Sequence, residues 1–141
     1  MKQTISFVTL GVADLERSRR FYRALGWTES PSSQTAVAFF QVGCIAFALF
    51  GRESLADDAN VSSEGSGFPG FTIAHNVASE SDVEATLREA LAAGGRLIRA
   101  AEKAPWGGFR GYFADPDGFL WEVCYNPFFP LDDQGFVQLS K

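Results

Sequence analysis

Gly108–Pro127 reads GFRGYFADPDGFLWEVCYNP, and the fold turns on this stretch. Phe109–Ala114 is extended and rich in aromatic residues. Asp115-Pro116-Asp117-Gly118 is a turn, in which proline presets φ and glycine permits φ > 0. Phe119–Tyr125 is the return strand. Alternation there puts Leu120, Glu122 and Cys124 on one face and Phe119, Trp121, Val123 and Tyr125 on the other. A glutamate among apolar neighbours is costly to bury unless it has a partner. The function of the chain therefore depends on what Glu122 faces.

Upstream of this hairpin the chain repeats a pattern. Ser6–Val12 (SFVTLGV) and Phe71–Val77 (FTIAHNV) read as strands, and each is followed by an amphipathic helix that ends in glycine. Asp14 caps the first helix, which runs to about Leu25 with Gly26 at its end; Leu15, Phe21, Tyr22 and Leu25 form its apolar stripe. Ser79 or Ser81 caps the second, which carries Val83, Leu87, Ala90 and Leu91 and ends at Gly94-Gly95. Ser81 and Glu84 have capping-box spacing. Three strand-like stretches follow each helix. In the first half they are a short piece near Trp27–Glu29, then Ala36–Val42 and Cys44–Phe50. In the second they are Arg96–Ala101, Phe109–Ala114 and Phe119–Tyr125. Gly43 and Gly118 hold matching places at the last turn of each set. The order is β-α-β-β-β twice, with module 1 at about 4–50 and module 2 at about 71–127. Residues 51–70 are rich in Gly, Ser and Asp and read as a connecting loop. A tail, 128–141, is expected to pack on its own chain or a neighbour.

The 141 residues suit one domain, and an apolar content of 46% suffices for its core. Fourteen Phe, three Trp and three Tyr fill that core or line a pocket. A net charge of −5, with no basic run, argues against a nucleic-acid partner. No apolar run reaches the roughly 18 residues that span a membrane. The start, MKQTISFVTL, has no signal-peptide layout, so a cytoplasmic location is expected. Cys44 and Cys124 fall in expected strands without zinc-type spacing and read as free buried thiols. Glu16, Arg17, Arg19, Arg20 and Arg23 read as a solvated helix face.

Three segments carry a resemblance to a known family: VTLGVADLERSRRFYRALGW, FTIAHNVASESDVEATLREALAAGGRLI and GYFADPDGFLWEVCYNP. They resemble the first strand and helix, the opening of the second module, and the closing hairpin of the vicinal oxygen chelate (VOC) superfamily. That superfamily includes glyoxalase I, extradiol dioxygenases, and the fosfomycin and bleomycin resistance proteins. The resemblance implies an α+β fold, a single glyoxalase-like domain over 1–141, in which two tandem βαβββ modules form curved mixed sheets around a cavity. In the family's metal enzymes the first and last strand of each module supply one ligand each, usually His, Glu or Gln. The matching positions here are Phe7, Phe47 (counted from the turn glycine, to within one residue), Thr72 and Glu122. Only Glu122 has a suitable side chain. A catalytic divalent ion needs about three protein ligands, so no metal or other cofactor is expected, a divalent metal being the alternative. His75 shares parity with Ile73 and is expected on the helix side.

If alternation holds, Ile5, Phe7 and Thr9 line the cavity, with Thr72, Ala74 and Asn76, and with Glu122 and Cys124. Arg110 and Tyr112 share one parity and join them. Such a lining, mostly apolar with a few polar groups, is that of a small-molecule pocket. Glu122 admits three roles: a general acid or base with a pKa raised by burial, an anchor for a ligand's amine or hydroxyl, or a structural partner of Arg110 or Tyr112. Thr72 and Cys124 are possible nucleophiles that nothing visible activates. Trp106, between Pro105 and Gly107-Gly108, either stacks on a planar ligand or caps the sheet edge. The expectation is a homodimer that binds a small organic molecule, aromatic or apolar, with the family's metal site degenerate. The alternatives are a lyase- or isomerase-type enzyme with Glu122 as base or metal ligand, and a structural or partner-binding protein without a ligand.

Overall fold

A computed structural model describes residues 6–60, 62–65, 67–69 and 71–138. It divides into two compact units, Met1–Pro69 and Gly70–Lys141. Both have one plan: the first strand of each unit lies parallel to its last, with a helix carrying the chain across. Parallel neighbours need such a crossover, because a tight hairpin reverses direction.

In the first unit, β1 (Phe7–Val12) leads into α1 (Leu15–Ala24), and β2 (Val37–Val42) pairs antiparallel with β3 (Ile45–Gly51). The sheet order is β1-β3-β2. The Asp14 carboxylate caps α1 by accepting from the Arg17 N–H at 2.9 Å. Gly26, at φ +85°, ends the helix region in a conformation that L side chains resist. One sheet face packs on α1. Leu10, Val12, Ala38, Phe40, Phe47 and Leu49 are buried there with Phe21 and Tyr22. Tyr22 is the hub, with ring centroids 5.0 Å from Phe47 and 5.1 Å from both Phe21 and Trp27.

Phe47 is a correction to the expected lining. The register sets Val8 beside Phe47 and Thr9 beside Ala48. Side chains paired across a sheet point the same way, so Phe47 joins Leu10 and Val12 on the helix side. Thr9 and Ala48 share the other face with Phe7, Phe39, Gln41 and Ala46. Counting from the turn glycine slips by one residue, and one residue exchanges the faces. In the second unit the pair equivalent to Thr9–Ala48 is Ala74–Glu122, so Ala48 holds the place of Glu122.

Three further expectations change. The stretch near Trp27–Glu29 contributes a single bridge, Glu29 to Phe40, rather than a strand. The loop 51–70 contains a helix, α2 (Arg52–Asp58). Gly11 makes room for it: a Cβ there would stand 3.3 Å from the Arg52 Cα and 3.4 Å from Leu55. Arg19 is not a solvated charge. Its guanidinium ties α1 to the chain before β2, donating to the carbonyls of Gln34 and Val37 and pairing with Glu16 at 2.7 Å.

In the second unit, β4 (Ile73–Asn76), α3 (Glu80–Ala92), β5 (Arg96–Lys103), β6 (Phe109–Ala114) and β7 (Leu120–Tyr125) build a four-stranded sheet of order β4-β7-β6-β5. Ser79, rather than Ser81, caps α3, accepting from the Asp82 N–H at 3.2 Å. Val83, Leu87 and Ala90 of α3 are buried, whereas Leu91 stays exposed. Gly111 lets Leu87 approach β6, for a Cβ there would meet the Leu87 methyl at 2.6 Å. Phe113 and Trp121 stack with centroids 6.0 Å apart. Buried Asp115 holds the hairpin turn, accepting from the N–H groups of Asp117 and Phe119, each at 2.9 Å. The tail folds on itself through a Leu131–Val137 bridge around the Asp132 carboxylate. Phe128 packs over Gly107, whose added Cβ would lie 3.2 Å from that ring.

The corrected facing of Phe47 has a measurable consequence. Truncation of a buried hub aromatic removes packing on several sides at once. Phe47→Ala is expected to cost about 3–5 kcal/mol in urea unfolding. A loss below about 1 kcal/mol, the range of an exposed site, would return Phe47 to the open face.

Candidate functional site

The side of the four-stranded sheet away from α3 carries a lattice of polar side chains. Its register sets Ala74, Glu122, Tyr112 and Arg99 in one row across the strands. The next row is Asn76, Cys124, Arg110 and Glu102. Such cross-strand neighbours stand about 5 Å apart at Cβ. Carboxylates, cations, a phenol and a thiol thus share one surface.

The partners within the lattice differ from those expected. Arg110 does not pair with Glu122. Its Nη1 donates to Glu102 Oε1 at 3.2 Å. Glu102 is exposed and also accepts from Arg99 Nε at 2.7 Å. These contacts, those of Arg99 first, hold the Glu102 carboxyl below its usual pKa. Glu122 instead stands directly opposite Tyr112 in the β6–β7 ladder. Desolvation first, then the neighbouring Glu122 carboxylate, raise the Tyr112 pKa above the phenol's ordinary value. Cys124 is buried, and its thiol is pushed up to about 11 by desolvation and then by Glu122, with Arg110 opposing. A thiol held neutral is a poor nucleophile.

The remaining expected site residues lie elsewhere. Thr72 is exposed just before β4. Phe7, 55% exposed, and Thr9 lie on the open face of the first unit's sheet. Ile5 falls outside the described residues. Trp106 belongs to the β5–β6 turn, closed by an Ala104 N–H to Gly108 carbonyl bond of 2.8 Å. Its ring lies flush on the Gly108 backbone, where an added Cβ would fall 1.8 Å from the ring. That turn lies beyond the Arg110 end of β6, four residues and about 13 Å along the strand from Tyr112. His75 lies on the α3 side; desolvation lowers its pKa and Glu89 opposes the shift. Cys44 occupies the β2–β3 turn and is exposed, not buried in a strand.

The first unit holds a cavity of about 230 Å³ over its open sheet face, lined by Phe7, Phe39, Gln41 and Ala46 with Ser30 and Ser32. Phe7 and Phe39 meet edge to face, their centroids 6.0 Å apart. Phe39 and Gln41 went unnoticed in the sequence, although alternation through VAFFQV marks them as one face. Arg99 and Glu102 had no such signal, because β5 breaks its alternation with two register shifts.

A family model for the Glyoxalase/Bleomycin resistance protein/Dioxygenase superfamily matches residues 4–123. The chain belongs to this superfamily. Among solved structures it is similar to a glyoxalase-related enzyme from Fulvimarina pelagi, at 36% identity over 99% of both chains with a TM-score of 0.89. It is also similar to a glyoxalase/bleomycin resistance protein/dioxygenase from Nocardioides, at 25% identity over 99% of this chain and 91% of that one, TM-score 0.73. A lactoylglutathione lyase from Agrobacterium tumefaciens shares the fold at 20% identity over 89% of this chain and 96% of that one, TM-score 0.67. No curated protein matches the chain significantly.

At the ligand positions that the family resemblance implies, the observed register puts Phe7, Ala48, Thr72 and Glu122. Two hydrocarbon side chains and one hydroxyl do not fit a divalent ion that wants imidazole or carboxylate donors. Among the described residues no three His, Cys, Asp or Glu side chains converge as a ligand set.

The two thiols are expected to behave differently. At pH 8 a thiolate-directed reagent should modify exposed Cys44 quickly and Cys124 only after unfolding, read by mass spectrometry. The folded chain binds the Cys124 proton more tightly than an ordinary thiol of pKa 9.0 does. Its contribution to stability is therefore whole below pH 9 and is lost as pH rises toward about 11. Equal reactivity of both thiols in the folded protein would contradict this burial.

Proposed function

We propose that this superfamily member binds a small organic molecule with an aromatic or apolar part and works without the family's usual metal centre. The carrying observation is the cavity over Phe7, Phe39 and Ala46, which offers two aromatic walls and a few polar groups. Phe7 holds a position to which the family resemblance assigns a metal ligand, so the proposal puts an aromatic surface in place of a coordinating group there. A protein that sequesters a small molecule, in the manner of the resistance proteins of the superfamily, needs no more than this. The reading includes a homodimer, as the family resemblance suggests, and a cytoplasmic location. No described helix is long and apolar enough to cross a membrane.

A second reading is an enzyme of lyase or isomerase type with Glu122 as base. It is favoured by the placement of half-buried Glu122 opposite Tyr112 on the sheet face away from α3, and by the name of the Fulvimarina relative, a glyoxalase-related enzyme. As base, Glu122 would take a proton from a bound substrate while the Tyr112 hydroxyl steadied its carboxylate. The two readings part on turnover, since sequestration returns the ligand unchanged.

Elemental analysis of the purified, untagged protein before and after chelator dialysis is expected to find no stoichiometric transition metal. One tightly held ion per chain would overturn the metal-independent reading. Ligand-observed NMR with a library of small aromatic compounds is expected to find binders, and Phe39→Ala should weaken them at least about tenfold, as burying an aromatic contact is worth more than 1.4 kcal/mol. Unchanged binding in that variant would remove the first-unit cavity from the proposal.

A further inference from the structure

Row by row, the first unit's sheet face away from α1 is small in the middle and large at its sides. Gln41 pairs with Ala46, and Ala46 with Phe7. In the next row Phe39 pairs with Ala48, and Ala48 with Thr9. Alanines on the central strand β3 leave a trough, with a phenyl group on each outer strand and Gln41 toward the β2–β3 turn. The chain before β2 forms the rim and is pinned there. The Ser30 N–H donates to the Phe39 carbonyl at 2.7 Å, and the Phe39 N–H donates back to Ser33 Oγ at 2.9 Å. A wall fixed before a ligand arrives loses little freedom on binding.

The Gln41 amide has one orientation. Its Nε2 lies 2.7 Å from the Gly43 carbonyl oxygen and 3.1 Å from that of Ile45. Carbonyl oxygens only accept, so the amide nitrogen must be the atom that faces the turn, and both of its N–H groups are spent there. Oε1 is left on the other edge of the amide, and no described residue donates to it. Gln41 therefore offers the cavity an acceptor and no donor. The other polar groups of the lining are the hydroxyls of Ser30 and Ser32. A hydroxyl donates or accepts as its partner requires. Gln41 alone sets a preference, and the preference is for a donor on the ligand.

Charge and size narrow the class further. No residue of the lining is charged, so an ionised ligand would leave water without a counter-charge. The cavity, about 230 Å³, exceeds the roughly 150 Å³ in which an apolar cavity takes up benzene. One substituted ring is the matching size.

We propose that Gln41 makes this cavity selective for a neutral, single-ring aromatic compound with a hydroxyl or N–H donor on the ring, a phenol or an aniline. The ring packs against the Phe7–Phe39 pair, and its donor bonds to Gln41 Oε1. This assignment rests on the reading that the first-unit cavity binds a small aromatic molecule, and it names the polar group of that molecule.

The test compares 4-methylphenol, 4-methylanisole and 4-methylbenzoate, with dissociation constants from ligand-observed NMR on the full chain. The phenol is expected to bind at least about fivefold more tightly than the ether, the effect of one neutral hydrogen bond, and more tightly than the anion. Gln41→Leu should lower phenol binding to the level of the ether, while Ser32→Ala should keep the gap. The ether needs no acceptor, so its unchanged affinity in Gln41→Leu shows an intact cavity. If that variant weakens the ether too, the wild-type phenol-to-ether ratio and the Ser32→Ala variant decide. Equal binding of phenol and ether overturns the assignment, as does a gap that survives Gln41→Leu or disappears in Ser32→Ala. Tighter binding of the benzoate overturns the neutral class. If phenol and ether bind equally and Phe39→Ala weakens both, the Gln41 assignment falls while the small-molecule reading stands. If none of the three binds, or binding survives Phe39→Ala, the cavity reading falls and the assignment falls with it.

Discussion

Parallel pairing of the first strand of each unit with its last is the constraint on which the rest depends. Once β1 lies beside β3 and β4 beside β7, each helix must cross over the sheet and cover one face. The other face lies away from the helix, and register alone decides which side chains it carries. In the first unit that choice sends Phe47 under α1 and leaves Phe7 and Phe39 outside. In the second it sends Trp121 and Val123 under α3 and puts Glu122 and buried Cys124 on the side away from it.

The two units use the same plan for different surfaces. The first unit's open face is aromatic and aliphatic, with serines and a glutamine at its margin. The second unit's is a lattice of charges and dipoles in which nearly every group has a neighbour of complementary character. Gly11 and Gly111 serve these arrangements in equivalent ways. Each gives up a side chain so that a helix can come close, α2 to β1 in one case and α3 to β6 in the other. On the side of the sheet away from α3, desolvation raises the pKa of both Cys124 and Tyr112, while half-buried Glu122 and exposed Glu102 are the carboxylate acceptors.

The family resemblance implies metal ligands at the strand positions of Phe7, Ala48, Thr72 and Glu122. A phenyl ring, a methyl group and an aliphatic hydroxyl at three of them are poor donors for a divalent ion, and the proposed metal-independent reading rests on that mismatch. The fold itself hosts many chemistries.

Much of this was legible in the residues. The caps at Asp14 and the serine pair, the glycine helix ends, the DPDG turn and the alternation around Glu122 are local signals, because capping, turn geometry and pleating act over four residues or fewer. They determined two strand–helix–hairpin repeats and the family. They did not reveal α2, a seven-residue helix diluted by the Gly, Ser and Asp around it, nor the bulges that bring Arg99 and Glu102 into line with Tyr112 and Arg110. They also misplaced Phe47 by one residue, which in a strand means the opposite face. Which strands are neighbours, and in what register, is set by contacts distant in sequence. For that reason the pairing of Glu122 with Tyr112, and of Arg110 with Glu102, was decided only by the tertiary structure.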